Sequence, residues 1–127
     1  MQISFEYNRI YFPAFPVLDF IVSAGKNGRQ QRIQGLIDSG SDVTQIPLPI
    51  LRAIRARETD DRWVKDVSGL RYPVPIYMVQ LQIGDFVLSG MEVVGRDGID
   101  EVIVGRDVLN QFIVTLNGLA NVTEIRD

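Results

Sequence analysis

Cysteine and histidine are both absent from the 127 residues. Without thiols there is no disulfide framework, no zinc finger and no cysteine nucleophile. Without imidazole there is no Ser–His–Asp or Cys–His catalysis, no histidine metal site and no imidazole pH switch. A surplus of positive charge is missing too: 13 Lys+Arg face 16 Asp+Glu, the formal net charge is -3 and the sequence pI is about 4.9. Nothing of that sign is available to hold a phosphate backbone, and nucleic acid is not an expected partner. Long apolar runs are also lacking. The most apolar stretch, Ile10 to Val22, is too short to span a bilayer and is interrupted by Pro13, Pro16 and Asp19. The opening residues Met1 to Arg9 show no basic stretch leading into an apolar run, so no secretory signal is expected and a cytoplasmic location is the default. Any chemistry must come from carboxylates, hydroxyls, Lys, Arg or the backbone. No cofactor and no metal is expected.

What is present is the composition of an ordinary compact domain, 46% apolar and 23% charged. Gly and Pro are scattered singly, no repeat or low-complexity tract occurs, and residues 1–127 read as one domain. Short β-rich runs separated by turn residues dominate. Phe15 to Ala24 and Gln31 to Ile37 flank Lys26-Asn27-Gly28, which predicts a hairpin. Val79, Leu81 and Ile83 alternate with Gln80 and Gln82, the period of a half-buried strand. Phe86 to Leu88, Ser89-Gly90 and Met91 to Val94 continue the sheet, and Val102-Ile103-Val104 reads as a buried strand. Two stretches read as short helices: Pro49 to Arg57, with Ile50, Leu51 and Ile54 on one face, and Arg106 to Phe112, with Val108, Leu109 and Phe112. Phe112 to Gly118 and Asn121 to Ile125 read as strand, turn, strand. The expected class is mostly β.

The sharpest local feature is Asp38-Ser39-Gly40, a carboxylate directly behind the apolar strand end Leu36-Ile37 and directly before a glycine turn. Strand ends and tight loops are where a rigid scaffold presents functional groups. The tripeptide alone also fits an Asx-type turn.

Two longer stretches carry more. The run Leu36-Ile37-Asp38-Ser39-Gly40-Ser41-Asp42-Val43-Thr44-Gln45-Ile46-Pro47 resembles the active-site motif of retroviral-type (retropepsin-like) aspartic proteases. Further along, Val102-Ile103-Val104-Gly105-Arg106-Asp107-Val108-Leu109 resembles that family's second signature, an apolar triplet before Gly-Arg-[Asp/Asn]-x-Leu. The likeness covers roughly residues 33 to 118 and looks like a single-domain cellular member. It implies a closed β-barrel-like retropepsin (acid protease) fold with one or two short helices, and one half of a homodimeric enzyme.

On that resemblance Asp38 is the catalytic carboxylate, and a second copy must come from another chain. Two carboxylates in contact cannot both ionise cheaply, so the pair is expected to share one proton. The implied reaction is aspartic endopeptidase hydrolysis of an extended peptide or protein substrate by an activated water. Ser39 would bond the partner chain's backbone, Gly40 would admit a tight turn, and Ser41 would favour the charged carboxylate if it donates to it. Asp42 and Arg106 match a carboxylate and an arginine that pair within one subunit.

Trp63 to Tyr72 stands where the family has a flap, with Val67, Ser68, Gly69 and Leu70 as the tip and substrate contacts, though this tip is poorer in glycine than in retroviral members. A plain surface hairpin with Trp63 and Tyr72 packed across it is the alternative. The ends also depart from the family. Residues 1–32 are longer and hold the aromatic cluster Tyr11, Phe12, Phe15 and Phe20, read as core packing, while 119–127 run past the usual end. Both extensions are expected to add strands to a dimer interface. Two other readings stay open: a catalytically silent retropepsin-like dimerisation or peptide-binding module, and an unrelated small β-barrel binding protein.

Overall fold

The computed structural model describes residues 1–127. In chain order the elements are β1 (Gln2–Glu6), β2 (Val17–Ser23), β3 (Gln30–Ile37), β4 (Gln45–Pro47), α1 (Leu48–Ala53), β5 (Arg57–Glu58), β6 (Arg62–Lys65), β7 (Arg71–Val74), β8 (Ile76–Ile83), β9 (Phe86–Arg96), β10 (Val102–Val104), α2 (Arg106–Leu109), β11 (Ile113–Asn117) and β12 (Val122–Arg126). The mostly-β expectation holds. No helix is long and apolar enough to cross a membrane.

Six strands close into a barrel in the order β2-β3-β10-β4-β9-β8, and β8 returns to β2 through the pairs Ile21↔Gln82 to Ser23↔Gln80. Closure leaves these strands without a free edge inside the ring. The predicted alternation places Val79, Leu81 and Ile83 inside, where they meet Leu18, Phe20 and Val22 of β2. Each such fully buried aliphatic side chain contributes about 1.5–3 kcal/mol over its exposed state. Ser89 and Gly90 continue the strand, as expected, but not in regular register. Val79 faces Met91 and Leu81 faces Leu88, so Ser89 and Gly90 oppose the single Gln80 in a bulge, and β9 runs on through it for eleven residues.

Helix α1 is shorter than the pattern from Pro49 to Arg57 suggests. Arg55 adopts φ 57°, Arg55 N–H donates to the Arg52 carbonyl and Ala56 N–H to the Leu51 carbonyl, a Schellman closure with arginine in the position glycine usually takes. The closure lets the partly buried Ala56 pack against the core, and the helix stops where the sequence shows no glycine. Helix α2 ends at Leu109, and Phe112 leaves it to meet the ring of Phe86, centroids 4.8 Å apart.

The chain ends form a separate antiparallel sheet, β1-β12-β11, with the Met1 ammonium 2.9 Å from Asp127. Ile125 and Thr123 are its buried face. The extensions therefore pair within their own chain, leaving β1 and β11 as outer strands. Of the aromatic cluster read as core, only Phe20 is buried; Phe12 is fully exposed. The Tyr11 and Phe15 rings meet at a tilt, centroids 5.4 Å apart, on a loop before β2, where the Tyr11 hydroxyl donates to Glu101. This loop lies outside the closed ring, so its aromatics have no interior to enter.

Candidate active site

Strand order creates the site. β3 and β4 are consecutive, yet β10 lies between them, parallel to β3 from Val102↔Gly35 to Val104↔Ile37 and bridged to β4 at Ile103↔Gln45. The segment from Asp38 to Thr44 must therefore step over the end of β10. Asp38 N–H donates to the Val104 carbonyl at 3.0 Å, and Arg106 N–H to the Ser41 carbonyl at 2.8 Å. Gly105 sits under the crossing: a Cβ there would lie 2.7 Å from the Val43 carbonyl carbon, so no other residue fits without moving the backbone. The two sequence motifs thus meet because the topology lays one loop across the other.

A second set of bonds locks the crossing from below. Thr44 is fully buried, and it donates through both its N–H (3.0 Å) and its hydroxyl (2.7 Å) to the Asp107 carboxylate, while Gly105 N–H donates to the Thr44 hydroxyl oxygen at 3.1 Å. The sequence reading assigned no role to Thr44 or Asp107. Their signal was present, a Thr six residues after Asp38 and an Asp after Gly-Arg, but nothing local shows that two residues so far apart in the chain bond each other.

Asp38 itself is exposed at the top of this crossing. Its Oδ1 accepts the Gly40 N–H at 2.9 Å, and a Cβ on Gly40 would approach that oxygen to 3.1 Å, as the tight turn requires. Oδ2 faces solvent. The Ser39 hydroxyl bonds nothing in its own chain, whereas its carbonyl accepts from Arg106 Nη1 at 2.7 Å. One expectation needs correction here, and one condition is not met. Arg106 does not pair with Asp42: its guanidinium turns instead to the Ser39 carbonyl, which the crossing loop presents directly above it. Ser41 does not donate to Asp38 either, because its hydroxyl is committed to the Val43 carbonyl at 2.7 Å.

A cleft of about 330 Å³ opens beside Asp38. Gly40, Ser41 and Asp42 form one side, Val64, Lys65 and Tyr72 of the β6–β7 hairpin another, and Gln45, Val94 and Arg96 of the barrel strands β4 and β9 the floor. The hairpin pairs only with itself. Its register sets Val64 opposite Tyr72 and Trp63 opposite Pro73, so Tyr72 faces the cleft with Val64 while Trp63 lies on the other face. Trp63 and Tyr72 are therefore not packed across the hairpin. Val67 and Leu70 at the tip stand in solvent, Val67 completely. No cluster of side chains in the site has the donor set of a metal centre.

Asp66, which the sequence reading passed over, shapes the tip. Its Oδ1 accepts from the Ser68 hydroxyl (2.6 Å), Ser68 N–H (2.9 Å) and Leu70 N–H (3.0 Å). These bonds, the Ser68 hydroxyl first, hold the Asp66 carboxyl below its ordinary range. A carboxyl lowered in the folded hairpin stabilises it above the ordinary aspartate value, and the contribution is lost as pH falls through the lowered one. The amide signals of Ser68 and Leu70 are thus expected to hold their folded positions from neutral pH to about pH 4 and to move toward unstructured values only below it. Asp66→Ala should produce that displaced pattern already at neutral pH. Identical Ser68 and Leu70 amide signals in wild type and Asp66→Ala would contradict this role.

No protein-family model matches the sequence, and no curated protein does. Solved structures do. A retropepsin-like aspartic protease from Rickettsia conorii superposes with a TM-score of 0.67 at 11% identity, over 98% of this chain and 90% of that one. EIAV protease complexed with the inhibitor HBY-793 gives a TM-score of 0.58 at 17% identity, over 76% of this chain and 86% of that one. With its closed six-stranded barrel, the crossing of its two motif loops and these likenesses together, the chain has the retropepsin-like fold.

Proposed function

We propose that two copies of this chain form an aspartic endopeptidase in which Asp38 of each copy supplies one carboxylate of a catalytic pair. The observation that carries this reading is the Asp38 carboxylate itself, fixed at the loop crossing by the Gly40 N–H, with its second oxygen unbonded beside a cleft of about 330 Å³. One carboxylate is half of the chemistry. The ionised member takes a proton from water as the water oxygen bonds the peptide carbonyl carbon; the protonated member gives its proton to the carbonyl oxygen. Collapse of that tetrahedral species breaks the C–N bond, and a proton passes to the leaving amine. The products are a carboxylic acid and an amine, with the pair returned to one shared proton.

Three features support pairing of copies. The Ser39 hydroxyl is free within its own chain, the terminal sheet has outer strands unpaired on one edge, and Ile113 and Leu116 of β11 are half-exposed. The β6–β7 hairpin would act as the flap over an extended substrate, and Ser68 and Gly69 would give the tip its turn. No cofactor or metal enters the scheme.

Mixing tests the shared site. When Asp38→Asn protein is added in growing excess to a fixed amount of wild type, mixed dimers hold one carboxylate, and cleavage per wild-type chain should fall toward zero. Diluting the wild type alone should lower its specific activity as dimers dissociate. Constant activity per wild-type chain in both titrations would exclude a site shared between copies. A folded dimer that cleaves nothing would leave the silent peptide-binding module.

A further inference from the structure

We infer that Arg96 makes the cleft beside Asp38 a subsite for a side chain bearing a hydrogen-bond acceptor, a carboxylate above all, and so sets the substrate preference of this protein. The inference rests on the peptide-binding reading of the cleft given above. Arg96 is the last residue of β9, opposite Pro47 of β4, and it lines the cleft together with Val74 and Val94. It is held there. Nη1 donates to the Gln45 Oε1 at 2.7 Å, the Gln45 amide donates to the Ser41 hydroxyl oxygen at 3.2 Å, and that hydroxyl donates to the Val43 carbonyl at 2.7 Å. The relay anchors the arginine to the same loop that carries Asp38.

A guanidinium has five N–H donors. Gln45 takes one, and Arg96 forms no ion pair. No other group of the chain takes the remaining donors, and a peptide side chain filling the floor would keep water from them. An aliphatic side chain would leave the donors unpaired against buried valines, whereas a carboxylate meets them in the paired geometry that arginine favours. A site built to hydrogen-bond rejects the ligand that cannot.

The other charges around the cleft leave this choice to Arg96. Lys65 also lines the cleft, but from the hairpin side, with its Cε 3.7 Å from where a Gly69 Cβ would stand at the tip. Asp38 and Asp42 lie on the exposed rim, and a basic side chain reaching past them to the floor would meet the guanidinium. Two copies would supply one such floor on each side of the reacting bond.

Binding tests this separately from catalysis. Peptides in which the reacting amide is replaced by a reduced, uncleavable bond are prepared as a set with Glu, Gln, Leu or Lys at each position flanking it. Their affinities for wild type, Arg96→Met, Arg96→Lys and Arg96→Glu are measured by isothermal titration. At one position on each side, wild type should bind Glu about tenfold more tightly than Leu, with Gln between and Lys weakest. Arg96→Met should favour Leu, Arg96→Lys should keep a reduced preference for Glu, and Arg96→Glu should turn the preference to Lys. An arginine that merely braces β4 against β9 would weaken every peptide alike when replaced. Equal losses across the set, or an unchanged ranking in Arg96→Met, would overturn the inference. Loss of cleavage with this ranking intact would count against the peptidase alone.

Discussion

Asp38→Asn should abolish peptide cleavage while leaving the fold and the association of copies unchanged. Asparagine has the shape of aspartate, and its Oδ1 can still accept the Gly40 N–H that sets the loop. What it lacks is a group that takes a proton from water. General-base catalysis of this kind contributes about 10²–10⁴-fold, and a pair that shares one proton cannot work with two amides, so activity should drop by at least ~10³-fold. An unbiased peptide mixture, incubated between about pH 3 and pH 7 with either protein and read by mass spectrometry, measures this and reveals preferred sequences together. Cleavage surviving in the variant would assign the chemistry elsewhere. The circular dichroism spectrum and sedimentation of Asp38→Asn should match those of wild type, because the carboxylate's open oxygen bonds nothing in the chain.

Asp107→Ala should have the opposite profile, with a large loss of stability. The Asp107 carboxylate receives two donors from Thr44, its N–H and its hydroxyl, and Thr44 is sealed from solvent. Truncation strands both donors where water does not reach them easily. Each unsatisfied buried donor costs about 1–3 kcal/mol, so a loss of about 3 kcal/mol is expected. At fixed protein concentration the urea midpoint should fall correspondingly and the thermal midpoint by roughly 10 °C. Asp107→Asn keeps one acceptor oxygen and should lose about 1 kcal/mol. A change below about 0.5 kcal/mol for the alanine variant would show that Thr44 and Asp107 do not hold the crossing together. Because Ser41 and Val43 ride on the same loop, the destabilised variant should also position Asp38 poorly, and activity should fall before global unfolding.

These two residues separate what was legible in the chain from what was not. Asp38-Ser39-Gly40 behind an apolar strand, and the apolar triplet before Gly105-Arg106, are contiguous signals, and the strands around them follow from alternation and turn residues. The local partners of the site were harder. Arg106 was expected to find Asp42, and charge complementarity favours that choice; the folded loop offers it the Ser39 carbonyl instead. Whether Ser41 donates to the carboxylate was not legible in the sequence; its hydroxyl donates to the Val43 carbonyl instead. Helix α1 ends at Ala53 and closes through Arg55 with φ 57°, so that Ala56 packs against the core, which no residue near the helix end announces.

Composition and local order in the sequence determined that the chain is mostly β, which chemical groups it has for a reaction, and which carboxylate stands at a strand end before a glycine turn. Periodicity and turn chemistry act between near neighbours, and so they are written along the chain. Tertiary structure alone decided that β10 enters between β3 and β4, that Thr44 meets Asp107, and that Arg96 reaches the floor beside Asp38. Each of these joins residues far apart in the chain, and their pairing is fixed only when the barrel closes and the competing partners are sealed away.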